Sequence, residues 1–375
     1  MHRLTFLPAM LLAASATCGQ EFLWDVEFAS QFDNREYNSA FAVSQTLFGA
    51  RLTPEIGFGW GQERANGLKA GATVILEFGA PNFERRPGEM VLYYDYNTEQ
   101  VNISGGIFPR SRTIGRYSRA FFSDSVRMYD ANISGLLAQV RGDRGYFEFA
   151  CDWDSRQSET RREKFTLFSA AEARYGVGFA GYSLSMHHHA GSMLVDGVVD
   201  NIWVEPYLGV DLAQRFDFDV LRLQAGWLQS FQNNRKWVGS YVKPGGVEIG
   251  LQVQRWGFGL DNTLYLDPSY DRNAALPTYV DDGATYTGGG LMPYYGPYGG
   301  GLYCGDPFYR TTNGIYDRLE LYWEPIARRD MSLRVSSVHH YDGRGNGWQQ
   351  MVSFRAAIGR SDFERRPRKG FRTLF

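Results

Sequence analysis

The stretch Phe48-Gly49-Ala50-Arg51-Leu52-Thr53-Pro54-Glu55-Ile56-Gly57-Phe58-Gly59-Trp60-Gly61 alternates without a break. Its even positions, from Phe48 to Trp60, are all apolar, and its odd positions, among them Arg51, Thr53 and Glu55, are charged, polar or small. Successive side chains of a strand point to opposite faces, so the stretch makes a ribbon with one greasy and one wet wall. A soluble strand averages about 5–6 residues, whereas a tilted strand crossing a bilayer needs about 9–11. This ribbon has the membrane length. Pro54 has no N–H for the ladder, and a bulge is expected there.

Composition supports many such ribbons. The chain has 375 residues, a formal charge of −2, 43 Gly, 23 Tyr, 26 Phe, 9 Trp and only 14 Pro, with a mean hydropathy of −0.36. A bundle of membrane helices is excluded, since no run after the first 20 residues reaches the roughly 18 apolar residues a spanning helix needs. The balanced charge argues against a nucleic-acid partner. No cofactor motif is present.

The N-terminus has the parts of a secretory signal: His2 and Arg3, an apolar run Leu4–Ala14, and small residues up to Ala16. Residues 1–16 are expected to be removed. The alternative is a lipoprotein signal ending before Cys18. Cys151, on an apolar strand face, and Cys304, in a loop, give no disulfide framework and are expected to be unpaired thiols.

Downstream the alternation recurs. It starts at Phe22–Asp33 and continues through Gly67–Gly79, Met90–Tyr96 and Val101–Phe108 to Gln350–Ile358, giving about sixteen strands in a transmembrane antiparallel β-barrel over residues 21–360. Asn34, Arg35 and Glu36 read as the start of a polar link after the first strand, and Phe258–Leu266 is the weakest match. Residues 361–375 form a basic tail. Connections after even strands are short and those after odd strands mostly longer, as expected of periplasmic turns and extracellular loops, with both termini in the periplasm. Outward aromatics gather at the strand ends, with Trp24, Trp60, Tyr96, Tyr175 and Trp323 at the turn end and Trp153 and Trp227 at the loop end, as interfacial girdles would. The implied location is the outer membrane of a Gram-negative bacterium.

With these features the chain resembles the sixteen-stranded porins of Gram-negative outer membranes. The resemblance implies passive diffusion of small hydrophilic solutes, a homotrimer in outer-membrane lipid, and a third external loop folded into the lumen. The corresponding segment is 109–131, with Arg110, Arg112, Arg116, Arg119 and Arg127 against Asp124 and Asp130. Folded inward, it would make a positively biased constriction, flanked on the wall by Arg51 and Arg141. Inward Tyr93 and Tyr146 could stack on sugar rings or fill space under loops. Two features depart from the resemblance: the basic tail before Phe375, and a long seventh loop, 267–313, rich in Gly, Tyr and Pro and suited to a lid or a partner surface.

The histidines give little chemistry on this reading. His187 and His189 share a face and are the only metal candidates, but no carboxylate or cysteine completes a site, so they are expected to be exposed loop-end residues. A hydrolase would need a nucleophile, a base and an orienting group. The chain has no Gly-x-Ser-x-Gly elbow and no phosphate-binding glycine loop. The expectation is a channel rather than an enzyme, the alternatives being a plugged barrel acting as an adhesin or partner subunit, or an outer-membrane hydrolase.

Overall fold

The computed structural model describes residues 20–39, 42–79, 85–194, 196–236, 239–268, 278–281, 284–287, 305–311 and 314–359. The signal segment with Cys18, the tail 361–375, Cys304 and most of the loop 267–313 lie outside the described residues.

The strands are β1 (Glu21–Tyr37), β2 (Gln45–Trp60), β3 (Asn66–Glu77), β4 (Arg85–Asn97), β5 (Val101–Pro109), β6 (Asn132–Gly142), β7 (Gly145–Ser155), β8 (Lys164–Tyr175) and β9 (Gly178–His189). They continue as β10 (Val199–Asp211), β11 (Val220–Asn234), β12 (Gly245–Arg255), β13 (Phe258–Leu266), β14 (Thr278–Asp281), β15 (Ala284–Thr287), β16 (Ile315–Ala327), β17 (Met331–Tyr341) and β18 (Asn346–Gly359). Sixteen of them close a barrel in chain order, with β1 pairing β18; β14 and β15 form a separate hairpin. Every barrel pair is antiparallel, so each strand hydrogen-bonds on both edges and no ladder is left open to lipid. Among the described residues, no helix is long and apolar enough to cross a membrane.

The alternation of the opening stretch is the wall's architecture. Leu52 and Ile56 face outward and are exposed, while Arg51, Thr53 and Glu55 face inward and are buried. No bulge forms at Pro54. β1 pairs through it in continuous register, Val26 opposite Pro54. On the other edge the register to β3 is kept while the rungs between Leu52–Val74 and Glu55–Gly71 go unpaired. Gly71 accommodates the proline: a Cβ there would sit 2.2 Å from the Pro54 carbonyl oxygen, closer than any side chain allows.

Strand ends are longer than the alternation suggests. Asn34–Tyr37 belong to β1 rather than to a polar link, and Arg85 and Arg86 begin β4. Such rungs extend beyond the apolar belt, where the outer face no longer needs greasy residues. The weakest stretch, Phe258–Leu266, is a full member, paired on both sides. Cys151 is a free thiol.

The core of this protein lies inside the barrel. Tyr93, Phe108, Phe168, Trp203, Tyr265 and Tyr316 from the wall pack with Tyr117, Phe121, Phe122 and Val126 from the connection between β5 and β6, and with Phe308 and Tyr309 from a helical turn, Phe308–Thr311. A cation placed on the outer belt meets hydrocarbon, whereas the wet wall supplies partners. Leu52→Arg should therefore destabilise the folded barrel in lipid by about 2–4 kcal/mol, measured as a shift of the denaturant midpoint. An unchanged midpoint would place Leu52 outside the hydrocarbon.

Candidate functional site

The connection between β5 and β6 crosses the lumen and is fastened to the wall on several sides. It leaves β5 through a tight turn, Arg110–Arg112, in which Thr113 Oγ1 donates to the Arg110 carbonyl at 2.9 Å. Arg110 is clamped by Asp130 and Asp152, each at 2.6 Å, and Arg112 by Asp95. Glu148 on β7 holds the middle of the loop. It accepts from the backbone N–H groups of Ile114 (2.6 Å) and Gly115 (3.0 Å), from Tyr117 Oη (2.7 Å), and from Gln139 Nε2 (2.6 Å). Burial, reinforced by that carboxylate, pushes the Tyr117 phenol well above its ordinary range and keeps it a donor.

Beyond Tyr117 the loop reaches the opposite wall. Arg116 donates to Gln252 on β12 at 3.1 Å and Ser118 to Glu248 at 3.2 Å. Arg119 pairs with Asp124 within the loop and lies 3.6 Å from Glu320 on β16. Asp124 in turn meets Arg318 on β16 at 2.8 Å, and Ser125 accepts from Arg35 on β1 at 2.6 Å. The segment before β16 descends onto the same layer: Tyr309 Oη donates to Glu248 at 2.6 Å, and the Asp306 N–H to the Arg119 carbonyl at 2.8 Å. Burial, together with the Glu248 charge, raises the Tyr309 phenol as well.

The arginines read from the sequence therefore do sit inside the barrel, but as fasteners: Arg51, Arg110, Arg112 and Arg119 are ion-paired, and Arg116 and Arg141 are hydrogen-bonded to wall amides. Arg51 holds Glu27 at 2.7 Å, and Arg141 donates to Asn97 at 2.9 Å. Tyr93 donates to Glu55 at 2.9 Å, and Tyr146 accepts from the Arg116 N–H at 2.9 Å. Both tyrosines are buried beneath the loop. The side chain of Arg127 lies outside the described residues. Two clefts remain beside the crossing. One is lined by Arg116, Arg119, Tyr207, Arg222 and Gln224, the other by Glu27, Arg51, Glu55, Tyr93 and Arg112.

The histidines differ from expectation. His187, His189 and His340 face inward and are only 7, 3 and 3% exposed, because the loops close over the strand ends where they sit. His187 Nδ1 is 3.0 Å from Thr166 Oγ1. His340 Nδ1 is 2.8 Å from Tyr316 Oη, which also donates to Asp306 at 2.9 Å. Among the described residues no cluster of three metal-ligating side chains occurs. Two histidines face outward: His188, 3.0 Å from Asp200, and His339, whose Nε2 lies 3.1 Å from Ser337 Oγ.

Period-two alternation puts Glu148, Asp152, Asp95 and Glu320 on the inner wall but does not pair them to the loop, and it does not mark Phe308 and Tyr309 as lumen residues. The first could be anticipated from arginines facing carboxylates across one lumen. The second had no signal, since the loop composition carries no periodicity.

A family model described as lipid A 3'-O-deacylase-type matches residues 15–266, about two thirds of the chain. The chain belongs to this family. The match covers β1 to β13 and ends where β13 ends, so β16, β17 and β18 lie beyond it. Membership in the lipid A 3'-O-deacylase-type family corrects the expectation that the protein is not an enzyme, because the family is one of enzymes. No curated protein matches the sequence.

Among solved structures, the trimer form of OmpT, an outer membrane protein of Vibrio cholerae, is similar at TM-score 0.50 and 8% identity, covering 91% of this chain and 100% of that one. OpdL of Pseudomonas aeruginosa is similar at TM-score 0.48 and 12% identity, covering 90 and 99%. At such identities the likeness concerns the fold alone. It agrees with a sixteen-stranded outer-membrane barrel of Gram-negative type and with the architectural resemblance to porins.

Glu148→Ala removes the acceptor of all four bonds at the centre of the crossing. Hydrogen exchange at Ile114 and Gly115 should then rise by about 5- to 150-fold while the barrel strands stay protected, because an orphaned buried donor costs about 1–3 kcal/mol. Unchanged protection of those two amides would show that Glu148 does not hold the loop.

Proposed function

We propose that this protein is an outer-membrane ester hydrolase that removes an O-linked acyl chain from a lipid A-type glycolipid. Family membership supplies the reaction class. The observation that carries the reading for this chain is the filled waist of the barrel. A loop ion-paired to opposite walls and packed on aromatic side chains leaves little room for a solute, so the accessible surface is the lipid-facing one. An acylated glycolipid of the outer leaflet already lies against that surface. In this reading the short turns face the periplasm, together with both ends of the described barrel, and the loop ends face outward.

A second reading, diffusion of small hydrophilic solutes, is favoured by the two polar clefts beside the crossing. It requires those clefts to open through the waist.

The test is expression of the full chain in a Gram-negative host, followed by mass spectrometry of its lipid A. Loss of one acyl chain, absent from cells carrying the empty vector, is the expected result. Lipid A of unchanged mass, with the folded barrel present in the outer membrane, would overturn the hydrolase reading and leave the second one.

A further inference from the structure

Where the segment before β16 meets the wall, three buried side chains are placed so that they need a shared proton. Tyr316 Oη on β16 stands between Asp306 Oδ2, at 2.9 Å, and His340 Nδ1, at 2.8 Å. The far nitrogen of the imidazole, Nε2, lies 3.3 Å from Gln349 Oε1. The neighbours of Gln349 fix its orientation: its Nε2 donates to the Asp33 carboxylate at 2.9 Å, and its Oε1 accepts from Tyr37 Oη at 3.2 Å. A carboxamide oxygen only accepts, so His340 Nε2 must carry a hydrogen.

Tyr316 has a single hydroxyl hydrogen for its two contacts. Given to an ionised Asp306, it obliges His340 Nδ1 to donate as well, and the ring is an imidazolium. Given to a neutral His340, it obliges Asp306 to donate, and the carboxyl is protonated. Either way one proton is held along Asp306, Tyr316 and His340. With Asp306 ionised and His340 neutral, one of the two contacts would set lone pair against lone pair at 2.8 or 2.9 Å.

The surrounding charges are occupied elsewhere. On the crossing Asp124 pairs with Arg318 of β16, and on β1 Asp33 pairs with Arg35. Asp342, in the turn after β17, accepts from the N–H groups of Arg344 and Gly345. The hydroxyls of Tyr37 and Tyr309 donate to Gln349 and Glu248. Asp306 is the carboxylate that faces the imidazole, 3.9 Å from Nδ1.

We propose that Asp306, Tyr316 and His340 form a proton-dependent latch at the loop end of the barrel, closed while it holds the shared proton and released as the pH rises. It fastens the segment that caps the crossing. Phe308 lies flat on the His340 ring, centroids 4.4 Å apart and planes 8° apart, the Asp306 N–H donates to the Arg119 carbonyl, and Tyr309 donates to Glu248. The latched state binds one proton more than an ionised carboxylate and a neutral imidazole in water, so its stability falls as the pH rises. The latch governs how the loop end is closed and is independent of both functional readings.

The test is hydrogen exchange of the full chain folded in detergent, read by mass spectrometry at about pH 5 and about pH 9, either side of the ordinary histidine value, with rates corrected for the intrinsic pH dependence of exchange. Protection of the Asp306 and Tyr309 amides, bonded to the carbonyls of Arg119 and Asp306, is expected to fall by about 5- to 150-fold at the higher pH, the range a mispaired buried polar group implies, while the barrel strands stay protected. In Asp306→Asn the carboxamide NH2 supplies the missing donor toward Tyr316, and its oxygen keeps the bond from the Phe308 N–H, so protection should stay high at both pH values. His340→Gln removes the titrating ring and should likewise abolish the dependence. Equal protection of the wild-type segment at the two pH values would overturn the latch, as would an Asp306→Asn variant that loses protection as steeply as the wild type. Strands that lose protection together with the segment would also overturn it, by showing general unfolding in place of a local release.

Discussion

Charges removed from bulk water must find opposite charges, and that requirement organises the interior of this barrel. A membrane strand whose outer face is apolar leaves its inner face to polar residues, and a closed ring of sixteen such faces gathers many ionised groups into one lumen. The connection between β5 and β6 answers the inner carboxylates with arginine. Arg110 meets Asp152, Arg112 meets Asp95, and Arg318 on the wall meets Asp124 on the loop. Arg318 is fully buried and pairs with both Asp124 and Glu320, so losing both partners would leave a charge without compensation, and breaking a buried pair costs about 3–5 kcal/mol. Removing the loop would orphan several such groups together. The crossing is thus part of the fold, and its ion pairs and hydrogen bonds hold the loop against the aromatic cluster beneath it.

A barrel filled in this way is a rigid support for chemistry on its outer face. Cross-strand neighbours and residues two apart on one strand share a face at fixed spacing, so a site on that face needs no loop to position it. The absence of a serine elbow weighs against catalysis only where a strand-to-helix turn presents the nucleophile, and a barrel wall has no need of one.

Much of the architecture was legible in the sequence. Period-two alternation showed which residues face lipid, as Leu52 and Ile56 against Arg51 and Glu55 illustrate, and its recurrence along the chain gave the strand count. Pro54 was misread as a bulge because the compensating glycine, Gly71, lies on the neighbouring strand. The histidines were misplaced for a similar reason: alternation assigns a face but is silent on what closes over a strand end. His340 is covered by Phe308, stacked on it at 4.4 Å, from a segment whose Gly-, Tyr- and Pro-rich surroundings have no periodicity to read.

The central claim is that the waist of the barrel is closed by paired charges and packed aromatics. Planar-bilayer conductance of the purified, refolded protein tests it most directly. A barrel shown to have inserted but carrying no steady open-pore current is the predicted result. Long-lived conductance steps of porin size would contradict it, since they require a water-filled path past Arg110, Glu148 and Tyr117.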